Sequence, residues 1–189
     1  GEFPTRLAPI SRRPALTDLN STINFKDIAE TLNELVLAIY TPSLYLFDSV
    51  KNNYVIDFDG DGLSIDGREK GLRKLMATNL LKRLESSVNS FRLTLMRIKD
   101  YIEGTIGTIN KYEEQRSDIA IDVTSFADDL DATDSETDSF ATRKSKIRLQ
   151  DMDYVRWRTD LKTDLEKLEL LLLLLKDITP EHDSKLQML

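Results

Sequence analysis

The stretch Asn79-Leu80-Leu81-Lys82-Arg83-Leu84-Glu85-Ser86-Ser87-Val88-Asn89-Ser90-Phe91, NLLKRLESSVNSF, lies inside the longest regular pattern of the chain. It is too regular for a loop, yet it carries a basic pair and several serines where a surface helix usually has Glu and Lys. The apolar pattern continues on both sides, through Leu72, Leu75 and Met76 before it and Leu95, Ile98, Ile102, Ile106 and Ile109 after it. From Leu84 to Ile102 the steps are four, three, four, three and four, a heptad seam. No proline interrupts it, so the pattern predicts one helix from Glu69 to about Lys111, roughly 40 residues and ~60 Å long. Gly104 and Gly107 weaken its last turns.

A second long helix is expected from Asp151 or Asp153 onward, with Trp157, Leu161, Leu165, Leu168, Leu172 and Leu175 as its seam. Before the central pattern, Phe25, Ile28, Leu32, Leu35, Val36 and Ile39 form one face of a helix. Thr22 or Asn24 caps it, and Tyr40-Thr41-Pro42 ends it, because the residue before proline avoids the α region. Ser43–Phe47 reads as a short helix with an aromatic anchor. Thr179-Pro180-Glu181 reads as a helix restart. The fold class that follows is all-α: an antiparallel long-helix hairpin or bundle with an extra N-terminal helix and a long acidic loop. A dozen buried Leu and Ile residues, at ~0.8 kcal/mol per CH₂, offset the ordering entropy without a cofactor. The pattern shows no sheet.

The flanks and connections are polar. Residues 1–21 hold three prolines and three arginines without periodicity and read as an extended arm, with Gly1-Glu2-Phe3 as a cloning scar. That leaves 22–189 as one helical domain, an excised piece of something larger, with 113–146 as a flexible acidic connector. The loop at 49–67 holds Asp57, Asp59, Asp61 and Gly62, the first half of a calcium loop. Its twelfth position is Arg68, a cation where the closing Glu should stand, so calcium is rejected and the loop is read as turn chemistry.

The formal net charge of −7 hides a segregation. Residues 113–138 hold ten acids against Arg116 alone, whereas 68–99 hold nine Lys or Arg against Glu69 and Glu85. An acidic chain with such a basic segment remains compatible with a nucleic-acid partner. Without cysteine there is no thiolate chemistry, and the expected setting is cytoplasmic. The apolar run Leu168–Leu175, broken by Glu169, falls far short of the ~20 residues that span a bilayer. The chain lacks a phosphate loop, and its only histidine, His182, has no partner motif, so no catalytic residue, cofactor site or metal site is assigned.

With Leu75 and Met76 before it, NLLKRLESSVNSFRLTL resembles a signature of bacterial Swi/Snf-type superfamily II helicases, where it lies between the two RecA-like ATPase lobes. Two further stretches are similar to that family in the same order. INFKDIAETLNELVLAIYTPSLYL is similar to the helix before the signature. WRTDLKTDLEKLELLLLLLKDITPEHDSKLQML is similar to the helix leading into the second lobe, with its Asp183, Lys185 and Leu186 turn. The resemblance covers 22–112 and 151–189 and implies a helical inter-lobe element of an ATP-dependent DNA translocase. The lobes of the same polypeptide would be its partners and would carry ATP and Mg, since the family's ATP-binding lysine, acidic box and arginine finger have no counterpart here. Lys82, Arg83 and Arg92 are then candidate DNA-phosphate contacts. The plainer reading makes them solvated flanks of the seam, because the bases of 68–99 spread over both sides of the helix. The rival to the motor reading is a free-standing helical adaptor for protein–protein interaction.

Overall fold

The computed structural model describes residues 25–54, 65–115, 118–122 and 146–176. The N-terminal arm, residues 57–64 of the candidate calcium loop at 57–68, most of the acidic connector, the restart at Thr179 and His182 all lie outside those residues. The elements are α1 (Phe25–Asn33), α2 (Ile65–Ser86), α3 (Val88–Gln115), strands β1 (Ala120–Asp122) and β2 (Lys146–Arg148), and α4 (Tyr154–Leu174). Short 3₁₀ turns at Ala38–Tyr40, Pro42–Tyr45, Lys51–Tyr54 and Leu149–Asp151 join them. The architecture is a helical bundle with one small antiparallel strand pair.

The central pattern is two helices, not one. Ser87 alone separates α2 from α3, and its backbone serves both: Ser87 N–H donates to the Arg83 carbonyl, and the Ser87 carbonyl accepts from Phe91 N–H. Its hydroxyl accepts from Ser90 N–H, the bond of a helix N-cap. The chain reverses there. Ser43 is bonded to Glu69 near the start of α2, and Tyr45 to Asp160 on α4. Arg158, also on α4, is bonded to Asn110 near the end of α3. These links hold Glu69 and Asn110 at one end of the molecule, whereas a straight helix would set them roughly 60 Å apart. So α2 folds back along α3, and α3 in turn pairs antiparallel with α4. Lys99 bridges to Glu169 in the middle of that pair, and Tyr112 meets Tyr154 edge-on at 5.3 Å near its end.

The predicted seams meet in one core. Leu72, Met76, Leu80 and Leu84 from α2, Val88, Phe91, Leu95, Ile98, Ile102 and Ile109 from α3, and Trp157, Leu161, Leu168 and Leu171 from α4 are all buried. Ile28, Leu32, Leu35 and Ile39 from the N-terminal segment join them. On α4 the seam is rotated from the expected one. Asp164 and Leu171 face inward, while Leu165 and Leu172 sit half-buried on the flank. Asp153 caps this helix, its carboxylate accepting from Arg156 N–H, as its sequence position suggests.

Two further expectations are corrected. The first helix stops at Asn33 instead of running to Tyr40, because Val36 and Ala38 give their N–H groups to the Asp164 carboxylate rather than to a helical ladder. Strands also exist, at the two ends of the segment expected to be a connector. Ile121 pairs with Ile147 and both are buried, so a strand pair anchors those ends to the bundle. Residues 123–145 lie outside the description.

Candidate nucleic-acid interface

The N-terminal segment is fastened to the bundle by polar bonds that shape the ground around α2. Glu69 is buried, and its carboxylate accepts from Ser43 N–H at 2.9 Å and from the Ser43 hydroxyl at 2.6 Å. The residue one place too late to close a calcium loop thus has a structural task. On the opposite side, fully buried Asp164 accepts from Val36 N–H at 2.7 Å and Ala38 N–H at 2.8 Å. Leu37 between them takes the left-handed conformation (φ 54°), so two successive-but-one amides converge on one anion. Trp157 Nε1–H donates to the Ala38 carbonyl at 2.9 Å. Burial raises the Asp164 carboxyl above the usual carboxylate range, and the two amide bonds oppose that rise. Burial also raises the Tyr40 phenol, with Tyr101 adding to it. Tyr45 is raised by burial and by its bond to Asp160.

With α1 docked this way, Leu32, Asn33, Leu35 and Leu37 meet Lys70, Arg73, Lys74 and Ala77 of α2 across a groove of ≈ 280 Å³. Lys70, Arg73, Lys74 and Lys82 are all exposed. Lys70 and Lys74 lie on one side of α2, whereas Arg73 and Lys82, nine residues apart, point to opposite sides of it. Glu69 is turned inward, and among the side chains described on α2 the only exposed acid is Glu85, in the last turn. From Lys70 to Lys82 the helix rises ~18 Å, the span of about five phosphates along one strand of duplex DNA. A plainer role accounts for part of this: cations beside the C-terminal end of α1 offset the negative end of its dipole. That role needs one or two cations and leaves Lys82, more than a turn beyond Ala77, without an explanation.

The three residues expected to contact phosphates are brought together at the fold around Ser87, but they are not equivalent. Lys82 points to solvent. Arg83 is half-buried and reaches across the fold, its Nη1 donating to the Ser90 hydroxyl at 3.4 Å. Arg92 donates to the Asn89 side-chain carbonyl at 3.0 Å. Ser87 and Ser90 of the opening stretch therefore build a helix reversal, and Arg83 bridges it, while the Arg92 bond stays within α3. Lys70, Arg73 and Lys74 become a group only when α1 lands beside them. The available sequence signal is the density of bases in 68–99, whose wheel positions do not reveal which flank stays open.

Among the described residues no group of three or more His, Asp or Glu side chains is placed to hold a metal ion, and no helix is long and apolar enough to cross a membrane. No protein-family model matches the chain, and neither a curated protein nor a solved structure matches it.

Proposed function

We propose that this chain is the helical inter-lobe element of a Swi/Snf-type DNA translocase and meets the nucleic-acid backbone along the outer face of α2. The observation that supports the DNA contact is the set Lys70, Arg73, Lys74 and Lys82, each exposed on α2 with no acid in the sequence between Lys70 and Lys82. The motor assignment rests on the family resemblance of the opening stretch and its flanks. A helical hairpin reversed at a single residue suits that role, since it is a stiff projection that moving lobes can carry. ATP and Mg would belong to the lobes, and this element would position DNA or couple to it without catalysing a reaction. The rival reading is a free-standing helical adaptor for protein–protein interaction.

Duplex binding by fluorescence anisotropy at several salt concentrations tests the contact. Four phosphate contacts give a log–log salt slope of roughly 3 to 4, and Lys70→Ala/Arg73→Ala/Lys74→Ala should reduce it to about 1. Lys82→Ala alone should lower it by about 1. An unchanged slope in the triple variant would remove α2 from the interface. The motor assignment is tested by the coding sequence on either side, where a phosphate-binding lysine motif upstream and a second lobe just after Leu189 are expected.

A further inference from the structure

The groove between α1 and α2 is made by one small residue and one early helix end. Lys70, Arg73, Lys74 and Ala77 fall within about 100° of one another around α2, so a single stripe of that helix faces it. The inward positions beside that stripe are large, Leu72, Met76 and Leu80, whereas Ala77 has only a methyl group and leaves room above it. Because α1 stops at Asn33, the buried Leu32, Leu35 and Leu37 become an apolar floor. Glu34, the acid next to Asn33, is turned to α4: Lys167 Nζ donates to its carbonyl at 2.6 Å and lies 3.6 Å from its carboxylate. The carbonyl end of α1 thus has a cation already. Among the described residues, the groove lining holds three more cations and no acid.

We propose that this groove receives one unpaired nucleotide of a DNA strand, its phosphate against Lys70, Arg73 and Lys74 and its base over the leucine floor. The proposal rests on the reading of α2 as the DNA-contacting helix and adds what that helix selects. Size argues for a single unit: ≈ 280 Å³ lies at the small end of the about 300–1,000 Å³ of small-molecule sites, too little for a helix or a duplex. Charge argues for phosphate. The planar fork of Arg73 matches a phosphate bidentately, and two ammonium groups flank it. The floor argues for a base, which has an apolar face for the leucines and a polar edge beside it. Asn33, the one neutral polar side chain of the lining, carries the amide that pairs with adenine. Taking a base out of a stack costs energy, and least where the base is already unpaired, so a strand end with an overhang is favoured over a blunt duplex.

The test uses the full chain and fluorescence anisotropy with two duplexes, one blunt and one carrying a short dA overhang, at low salt. The overhang should bind roughly fivefold or more tightly than the blunt end. The ratio of the two affinities is compared within each variant, so a general change in DNA binding cancels. Ala77→Leu fills the groove without altering a charge and should bring the ratio to about 1. Asn33→Ala changes an exposed residue and should lower the ratio for a dA overhang while leaving that for a dT overhang. Equal binding of both duplexes by the wild type overturns the proposal and leaves the backbone contact of α2 standing; acids of the chain itself filling the groove would give this result. A chain that binds neither duplex overturns both readings. An overhang preference that neither substitution changes puts the strand end elsewhere and overturns the proposal too. So does free dAMP that competes as well as the overhang, which would make a small nucleotide, not a DNA strand, the occupant.

Discussion

Replacing Asp164 by alanine should release the segment between α1 and the Pro42 turn from α4, at a cost that can be estimated. Two amides lose a carboxylate acceptor at 2.7 and 2.8 Å. Hydrogen bonds to a charged group contribute ~1.5–3 kcal/mol each, and a buried N–H left unpaired costs a similar amount. Against this stands relief from burying the carboxylate, itself several kcal/mol. The net expectation is about 3 kcal/mol of lost stability, a large part of the ~5–15 kcal/mol of a typical domain. For a chain of this length that is a midpoint lowered by roughly 6–12 °C. Asp164→Asn should cost about half as much, because the amide oxygen still accepts from one N–H while its NH₂ faces the other. Denaturant titration gives the energies, and hydrogen exchange at Val36 and Ala38 gives the location. The pH dependence has a defined sign. A carboxyl whose folded pKa is raised contributes stability fully present below its unfolded value and lost as pH rises through the folded one. The gap between wild type and Asp164→Asn should therefore narrow as pH rises above the ordinary carboxylate range. A cost below about 1 kcal/mol for Asp164→Ala, with Val36 and Ala38 exchanging as before, would refute the claim that this carboxylate keeps residues 34–38 out of a helix.

Three other substitutions test separate features. A Cβ added at Gly104 or Gly107 would meet nothing within 4 Å, so Gly104→Ala and Gly107→Ala should each stabilise α3 by about 0.5–1 kcal/mol in denaturant titration. Thr41 is buried with its hydroxyl unpartnered among the described residues; Thr41→Val should be neutral or stabilising by up to ~1 kcal/mol, and a clear loss would reveal a missed bond. Ser87→Ala removes the hydroxyl that caps α3 and should lower stability by about 1 kcal/mol, measured the same way.

The seam was legible, but its direction was not. Leu84, Val88, Phe91, Leu95, Ile98 and Ile102 keep their steps straight through Ser87, because both arms of the reversal bury the same stripe against the same core. Spacing along the chain cannot register a reversal. The local hint is a serine able to cap Ser90, and no Gly or Pro accompanies it. The early end of α1 depends on Asp164, 128 residues away, and no window of sequence near Asn33 contains that cause. On α4 the preference for apolar seam residues favoured Leu165 and Leu172, whereas burial of Asp164 turned the helix toward Leu171. β1 and β2 were missed because each has one buried residue, Ile121 or Ile147, amid polar neighbours. For the candidate interface, composition located the basic stretch. The open flank was decided by where α1 docks.

The strand pair sets a condition on the long interval between its halves. With Ala120 opposite Arg148 and Asp122 opposite Lys146, the chain leaves and re-enters the bundle at neighbouring points, about 5 Å apart. The length of chain that joins two such neighbouring points is almost free: each doubling of a closed loop costs only ~0.6 kcal/mol. The bundle can therefore be regarded as two chains, one ending at β1 and one beginning at β2, held side by side by their own packing. Such a molecule accepts a cut, a graft or a whole foreign domain between Asp122 and Lys146 while its helices keep their partners.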